Sequence, residues 1–133
     1  MRLSNDTTTK MLQAAVSAAS RLGINGSIAI VDSGGNLKGF LRMDDSLLGS
    51  LDGAIRKAKT SAMSGMSTAA WFDTYSDNAT FGQIVAHGSD EMLFLPGGEP
   101  LWDADNRPLG GIGFSGGMPD QDVEVVRAAI AAV

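Results

Sequence analysis

The first third of the chain combines a helical and a strand-like spacing of apolar residues. From Ser4 to Leu22 the apolar positions recur every three or four residues, which predicts a helix that ends at Gly23. The short apolar, β-branched run SIAIVD at 27–32 predicts a buried strand. The turn residues SGGN at 33–36, followed by the run at 37–43, predict a second strand that pairs back onto the first as a hairpin.

Beyond the hairpin the pattern predicts two helical segments, three short strands and a last helix. Asp45 or Ser46 can cap the helix after the hairpin, as Ser4 or Asn5 can cap the first helix, and Pro119 suits the first position of the last. The predicted elements are helical segments at 47–62 and 68–78, strands at 91–95, 99–102 and 109–114, and a helix from 119 onward. Because short turns join the strands, we expect one α+β domain over residues 1–133, with an antiparallel sheet of about five strands and flanking helices.

Composition narrows the class of protein. The 133 residues are 44% hydrophobic, enough for a core, and the net charge of −5 argues against binding to a nucleic-acid backbone. The absence of cysteine excludes disulfides, thiolate zinc sites and cysteine nucleophiles, and no histidine pairing suggests another metal site. The N-terminus has no signal-like apolar run, and no run approaches the ~20 residues of a membrane span. We therefore expect a cytoplasmic protein that binds neither nucleic acid nor membrane.

Glycine is unusually frequent and occurs in pairs. The chain has 17 glycines, near twice the average usage of about 7%. The run GGIGFSGG at 110–117 superficially looks like a phosphate loop, but it is not G-x-x-x-x-G-K-[ST] and no βαβ unit surrounds it. The pattern favours turns whose backbone amides approach a ligand or a neighbouring subunit, at Gly97 and Gly98 and at Ser115 and Gly116.

Four side chains are candidates for chemistry, and each has a simpler structural explanation. His87, the only histidine, can act as a general base or haem ligand, or can be a loop residue. Lys57 can hold an anion or act as a base, or can be an exposed helix lysine. Arg42 can clamp a carboxylate or phosphate, or can form a structural ion pair. Asp122 can move a proton, or can simply complement the dipole of the last helix.

Five strings in order along the chain carry a family resemblance. They are AIVDSGGNL at 29–37, RMD at 42–44, GSLDGAIRKAKTSA at 49–62, LPGGEPL at 95–101, and GGIGFSGG followed by QD at 110–122. Together they resemble the GlcG/HbpS-like family, which also occurs at the C-terminus of PduO-type proteins. The resemblance implies a profilin- or PAS-like sheet and homo-oligomers, and some members bind haem. Asn36 stands where the family frequently has histidine, and the E-x-x-E iron motif of some members is missing, which argues against haem and iron.

Two classes of function follow from these observations. In the first, the protein binds a small molecule, either an anionic metabolite or haem or another tetrapyrrole. In the second, it is a metal-free isomerase, lyase or hydratase acting on a small oxygenated carboxylic acid, with Lys57, His87 and Asp122 as its catalytic groups. In either case we expect Arg42, Lys57, His87 and the Gly97–Gly98 turn to converge on one pocket.

Overall fold

The computed structural model describes residues 3–76 and 91–133. In this part of the chain eight elements follow one another, and both the last helix and the first hairpin lie where the sequence predicts them. The elements are α1 Asn5–Leu22, β1 Ser27–Asp32, β2 Leu37–Arg42, α2 Gly49–Ser64, α3 Thr68–Ser76, β3 Gly98–Trp102, β4 Pro108–Ser115 and α4 Pro119–Ala131.

The strands form one antiparallel sheet in the order β2-β1-β4-β3. Ser27 at the start of β1 is in register with Arg42 on one side and Ser115 on the other, and Asp32 at its end faces Gly110. The α+β class and the antiparallel sheet are therefore confirmed, with four strands among the described residues where about five were predicted.

The predicted strand at Glu91–Leu95 is not a strand. This segment follows the surface of α2, where Arg56 Nη2 donates to the carbonyl of Met92 and the Leu93 N–H donates to Thr60 Oγ1. Because side chains of a helix satisfy these backbone groups, the segment has no need of a partner strand. Within its apolar run, Phe94 stacks on Trp71 of α3, with ring centroids 5.2 Å apart.

Helices cover both faces of the sheet. Helices α1 and α4 lie on one face, where Met11, Ile30, Phe114 and Val126 contribute to the larger hydrophobic core. Helix α2 lies on the other face, and its contact with the sheet is built mainly from small residues. In the described part of the chain no helix has the length and hydropathy that a membrane crossing requires.

Glycines at alternate positions of β4 bring α2 unusually close to the sheet. A methyl group on Gly113 would meet the carbonyl of Ala54, and one on Gly111 would meet the carbonyl of Ala58. Ile112, between them, points into the opposite core. The run of glycines at 110–113 is thus mostly strand rather than turn, and the glycines in it serve helix packing.

Helix ends agree with the sequence at three places and differ at one. Ser4 caps α1 through its hydroxyl, Gly23 ends it in the left-handed conformation, and Pro119 begins α4. Neither predicted cap of α2 is used, since this helix begins at Gly49 after Leu48. The hydroxyl of Ser46 instead donates to the carbonyls of Gly26 and Met43, which fixes the loop before the helix.

Candidate functional site

Lys57 and Asp122 meet at the end of the sheet where β4 leads into α4. Lys57 Nζ lies 2.9 Å from Asp122 Oδ2 and donates a second hydrogen bond, at 3.0 Å, to the carbonyl of Phe114. Both side chains are about 4% exposed. Two of the predicted catalytic groups are therefore neighbours, and they form a buried ion pair with each other. A substrate can reach them only if this pair opens.

The backbone turn at 115–117 binds an anionic group that belongs to a side chain of the same protein. The Gly117 N–H donates to Asp122 Oδ1 at 2.8 Å, and the backbone of Gly116 also contributes a hydrogen bond to this carboxylate. Burial raises the pKa of Asp122, while the Lys57 ammonium and these two amides act in the opposite direction. The amides predicted to meet a ligand at Gly116 are thus directed to a carboxylate of the chain itself.

Two other predicted ligand contacts, Gly97 and Ser115, are close to the same ion pair. Gly97 has a φ of 122°, a region that favours glycine, and a methyl group there would lie 3.1 Å from Lys57 Nζ. The side chain of Ser115 lies under Gly53 in the first turns of α2. Close packing of the protein against itself accounts for the glycine at position 97.

Gly98 is bound to α3. Its N–H donates to Thr68 Oγ1 at 2.8 Å, and a methyl group on it would press against the backbone of Lys57. Its amide is therefore already satisfied by a buried side chain. The Gly97–Gly98 turn and Lys57 lie together in a close-packed junction between α2, α3 and the sheet.

Arg42 lies apart from this junction, at the end of the edge strand β2. Its side chain is exposed, and no ion pair or hydrogen bond engages it among the residues that the structure describes. It lines two adjacent open depressions of about 500 and 410 Å³, together with Met43 and Asp44. Neither depression is lined by Lys57 or Gly97.

His87 lies outside the described residues, so its predicted role stays a prediction. At the position where the family frequently has histidine, Asn36 donates from Nδ2 to the carboxylate of Asp32, whose Oδ1 also accepts the N–H groups of Gly34 and Asn36. Asn36 therefore helps to close the hairpin turn. Across residues 3–76 and 91–133, no cluster of three or more histidine, cysteine or acidic side chains could hold a metal ion.

An apolar cavity at the β3 edge was not predicted. It has a volume of about 300 Å³ and lies between Met11 of α1, Ile130 of α4 and the end of β3 at Trp102. Its walls come from residues near both ends of the described chain and from the hairpin that joins β3 to β4. No local pattern could have signalled it, because each wall residue looks like an ordinary core position.

Comparison with known proteins identifies the family of this fold. A family model described as haem degrading protein HbpS-like matches residues 3–131. The chain belongs to the HbpS-like family. The matched residues of this HbpS-like chain include both the Lys57–Asp122 junction and the edge that carries Arg42.

Two solved structures are close to this HbpS-like chain. A crystal structure of a PduOC:heme complex is 32% identical, has a TM-score of 0.93, and matches 100% of this chain and 96% of that one. A crystal structure of a double mutant of Streptomyces reticuli HbpS is 34% identical, has a TM-score of 0.87, and matches 100% of this chain and 88% of that one.

A longer relative contains a similar segment. The corrinoid adenosyltransferase PduO of Salmonella typhimurium is 32% identical over 124 residues, which are 93% of this chain and 37% of the relative. The HbpS-like chain therefore spans well under half of that protein.

Proposed function

We propose that this HbpS-like chain binds a small molecule and that Arg42 receives a carboxylate group of that ligand. The proposal rests on the difference between two cationic side chains that are both candidates, from the sequence, for binding an anion. Lys57 is buried and neutralised by Asp122, whereas Arg42 is exposed, unpaired among the described residues and beside open depressions. A guanidinium group suits a carboxylate because it can donate two parallel hydrogen bonds.

Two ligand chemistries fit this proposal. Asp44 shares both depressions with Arg42, so a ligand that carries a hydroxyl group beside its carboxylate would satisfy both side chains. Haem also carries carboxylates, on its propionates, and the similar PduOC chain has been crystallised with it. The residues described here offer methionine rather than histidine as an iron ligand near Arg42, since Met43 lines both depressions.

A titration with matched variants tests the role of Arg42. Haem, iron-free protoporphyrin IX and glycolate are each titrated by calorimetry into the wild type, Arg42→Gln and Arg107→Gln. Arg107 is an exposed arginine in the turn between β3 and β4, lines neither depression, and serves as the control. We expect Arg42→Gln to weaken binding of the preferred ligand by about 10- to 100-fold, the value of a hydrogen bond to a charged group. Equal affinities in the two variants would contradict the proposal.

Assembly into homo-oligomers is the second part of the proposal. Leu47 and Leu48, in the loop before α2, are 80% and 77% exposed, and the edge strand β2 exposes Leu37 at its start and Leu41 near its end. An open edge strand with exposed leucines is a surface that proteins usually cover. Leu48 also lines a depression with Arg42, so a second copy bound here would add walls to the ligand site.

Light scattering tests the assembly directly. We expect a multiple of the 13.8 kDa chain mass at micromolar concentration, and a lower mass for the Leu47→Lys, Leu48→Lys double variant. A monomer mass for the wild type would remove this part of the proposal and leave the Arg42 titration unaffected.

A further inference from the structure

The apolar cavity at the β3 edge has the character of a second binding site. Its volume of about 300 Å³ is at the lower end of the range for small-molecule pockets. Met11 and Leu101, both buried, contribute to it from the side of the core, whereas Trp102 and Val133 are 45% and 57% exposed. The cavity is therefore a recess that opens to solvent.

The lining of this cavity specifies the chemistry of an occupant. Among the described residues that line it, none has a charged side chain, and the polar one is Thr7, whose hydroxyl already accepts a hydrogen bond from Ser4 at 3.0 Å. Pro100 on the edge strand has no N–H to offer a ligand. A charged or strongly polar molecule would lose its hydration here, and the Thr7 hydroxyl could replace only a small part of the lost hydrogen bonds. A neutral apolar molecule would bury its surface without this penalty.

The cavity is separate from the depressions at Arg42. Arg42 is in register with Ser27 at the start of β1, whereas Leu101 pairs with Gly110, which in turn faces Asp32 at the end of β1. The two places are thus at opposite ends of β1, a separation of about 16 Å along a strand of this length. A ligand in one does not touch the residues of the other.

We propose that this cavity binds a small, neutral, apolar molecule with an aromatic or short hydrocarbon body. The lining comes from α1, α4 and the β3–β4 hairpin, so the site forms only in the folded chain. It is independent of the anionic ligand proposed for Arg42 in both position and chemistry.

The neutral dye N-phenyl-1-naphthylamine is a suitable probe, because its fluorescence rises in apolar surroundings. In the Trp71→Phe background, Trp102 is the one tryptophan left, so its quenching reports binding at the cavity. We expect a saturable rise in dye fluorescence at one dye per chain, with parallel quenching of Trp102. The absence of a saturable rise would overturn the proposal.

Variants that fill the cavity make the test specific. Leu109→Trp fills a wall, and Val133→Trp fills the exposed mouth with little risk to folding. Each should weaken dye binding by at least about tenfold, whereas Leu37→Trp, an exposed position on β2, should change it less than about twofold. Equal dye affinity in all three variants would place the dye elsewhere and overturn the proposal.

Two further measurements distinguish dye binding in this cavity from dye binding at the Arg42 surface and from coverage of the cavity by a second copy of the chain. Arg42→Gln should leave dye binding unchanged, and a loss of dye binding in that variant would assign the dye to the Arg42 surface and overturn the cavity site. Light scattering should give the same mass for the wild type and for Val133→Trp. A change in mass, together with no dye binding by the wild type, would show that a second copy covers the cavity, which also overturns the proposal.

Discussion

Lys57 Nζ and Asp122 Oδ2 are 2.9 Å apart although the two residues are separated by 65 positions in the chain. The pair joins α2, on one face of the sheet, to the first turn of α4, which packs on the other face. The Phe114 carbonyl and the Gly117 N–H complete its hydrogen bonds. This junction fixes the end of the sheet at which the notable glycine pairs, 97–98 and 116–117, are found.

Removal of one partner of this pair should destabilise the fold strongly. Asp122→Leu leaves the Lys57 ammonium buried without its counter-charge, which typically costs about 3–5 kcal/mol in the free energy of unfolding. The double variant Lys57→Met, Asp122→Leu should recover much of this loss, because no buried charge then remains. Urea unfolding of the wild type, both single variants and the double variant measures the coupling. Additive losses in the double variant would contradict the interpretation.

The glycines of β4 should be intolerant of even one methyl group. Gly113→Ala would force the new methyl group against the carbonyl of Ala54, so α2 must move away from the sheet. We expect a loss of about 1–3 kcal/mol in unfolding free energy, or failure to fold.

The control for this prediction lies in α2, the helix that Gly113 contacts. Gly49→Ala adds a methyl group with no atom within 4 Å at the start of α2. This variant should be neutral or stabilised by up to about 1 kcal/mol, because alanine favours the helix. Similar unfolding midpoints for Gly113→Ala and the wild type would show that the sheet does not need glycine at this contact.

The carboxyl group of Glu99 should make stability depend on pH. Its side chain is 16% exposed, and Arg127 Nε lies 3.5 Å from its Oε1, for which the described part of the chain shows no hydrogen bond of good geometry. Burial raises the pKa of Glu99 and Arg127 opposes this rise, so the folded state holds the proton more tightly than the unfolded state. The contribution of this group to stability is therefore greatest below the unfolded pKa of about 4.3 and is lost as pH rises through the folded pKa.

Glu99→Gln tests this sign. The amide cannot ionise. The unfolding free energy of the variant, measured relative to that of the wild type, should therefore increase between pH 4 and pH 7. Glu124→Gln, at an exposed position of α4, provides the control and should follow the wild type. A difference between Glu99→Gln and the wild type that stays constant with pH would refute the assignment.

Haem binding should be weak in the wild type and should increase in Asn36→His. The reason is that Asn36 is an amide tied to Asp32 in the hairpin turn, where the family frequently supplies an imidazole. Titration followed by the Soret absorbance band should show substoichiometric binding for the wild type and a sharper, stronger band for the variant. A stoichiometric Soret band in the wild type that is lost in His87→Ala would reverse this prediction and make His87 the ligand.

Local chemistry allowed several features to be read directly from the sequence. Ser4 caps α1 and Gly23 ends it because each acts on backbone groups within four residues, and the hairpin turn closes through Asp32 for the same reason. The family resemblance depended on such short strings and was confirmed. The predicted strand at 91–95 failed because its backbone groups bond to α2, which the local apolar pattern does not reveal.

The candidate site depended on contacts that only the folded chain creates. The sequence marked Lys57 and the glycines at 97 and 116 as groups that could meet an anionic ligand, and Asp122 as a group that could move a proton. The fold brings these residues together, with the Asp122 carboxylate as the anion. Arg42 remains exposed at the end of the edge strand and forms no ion pair with the described residues, although Asp44 lines the same depressions. Residue types and their spacing determined which groups could pair. The close approach of α2 to β4 decided which groups did pair. The physical reason is burial, which removes competing water from Lys57 and leaves Arg42 exposed.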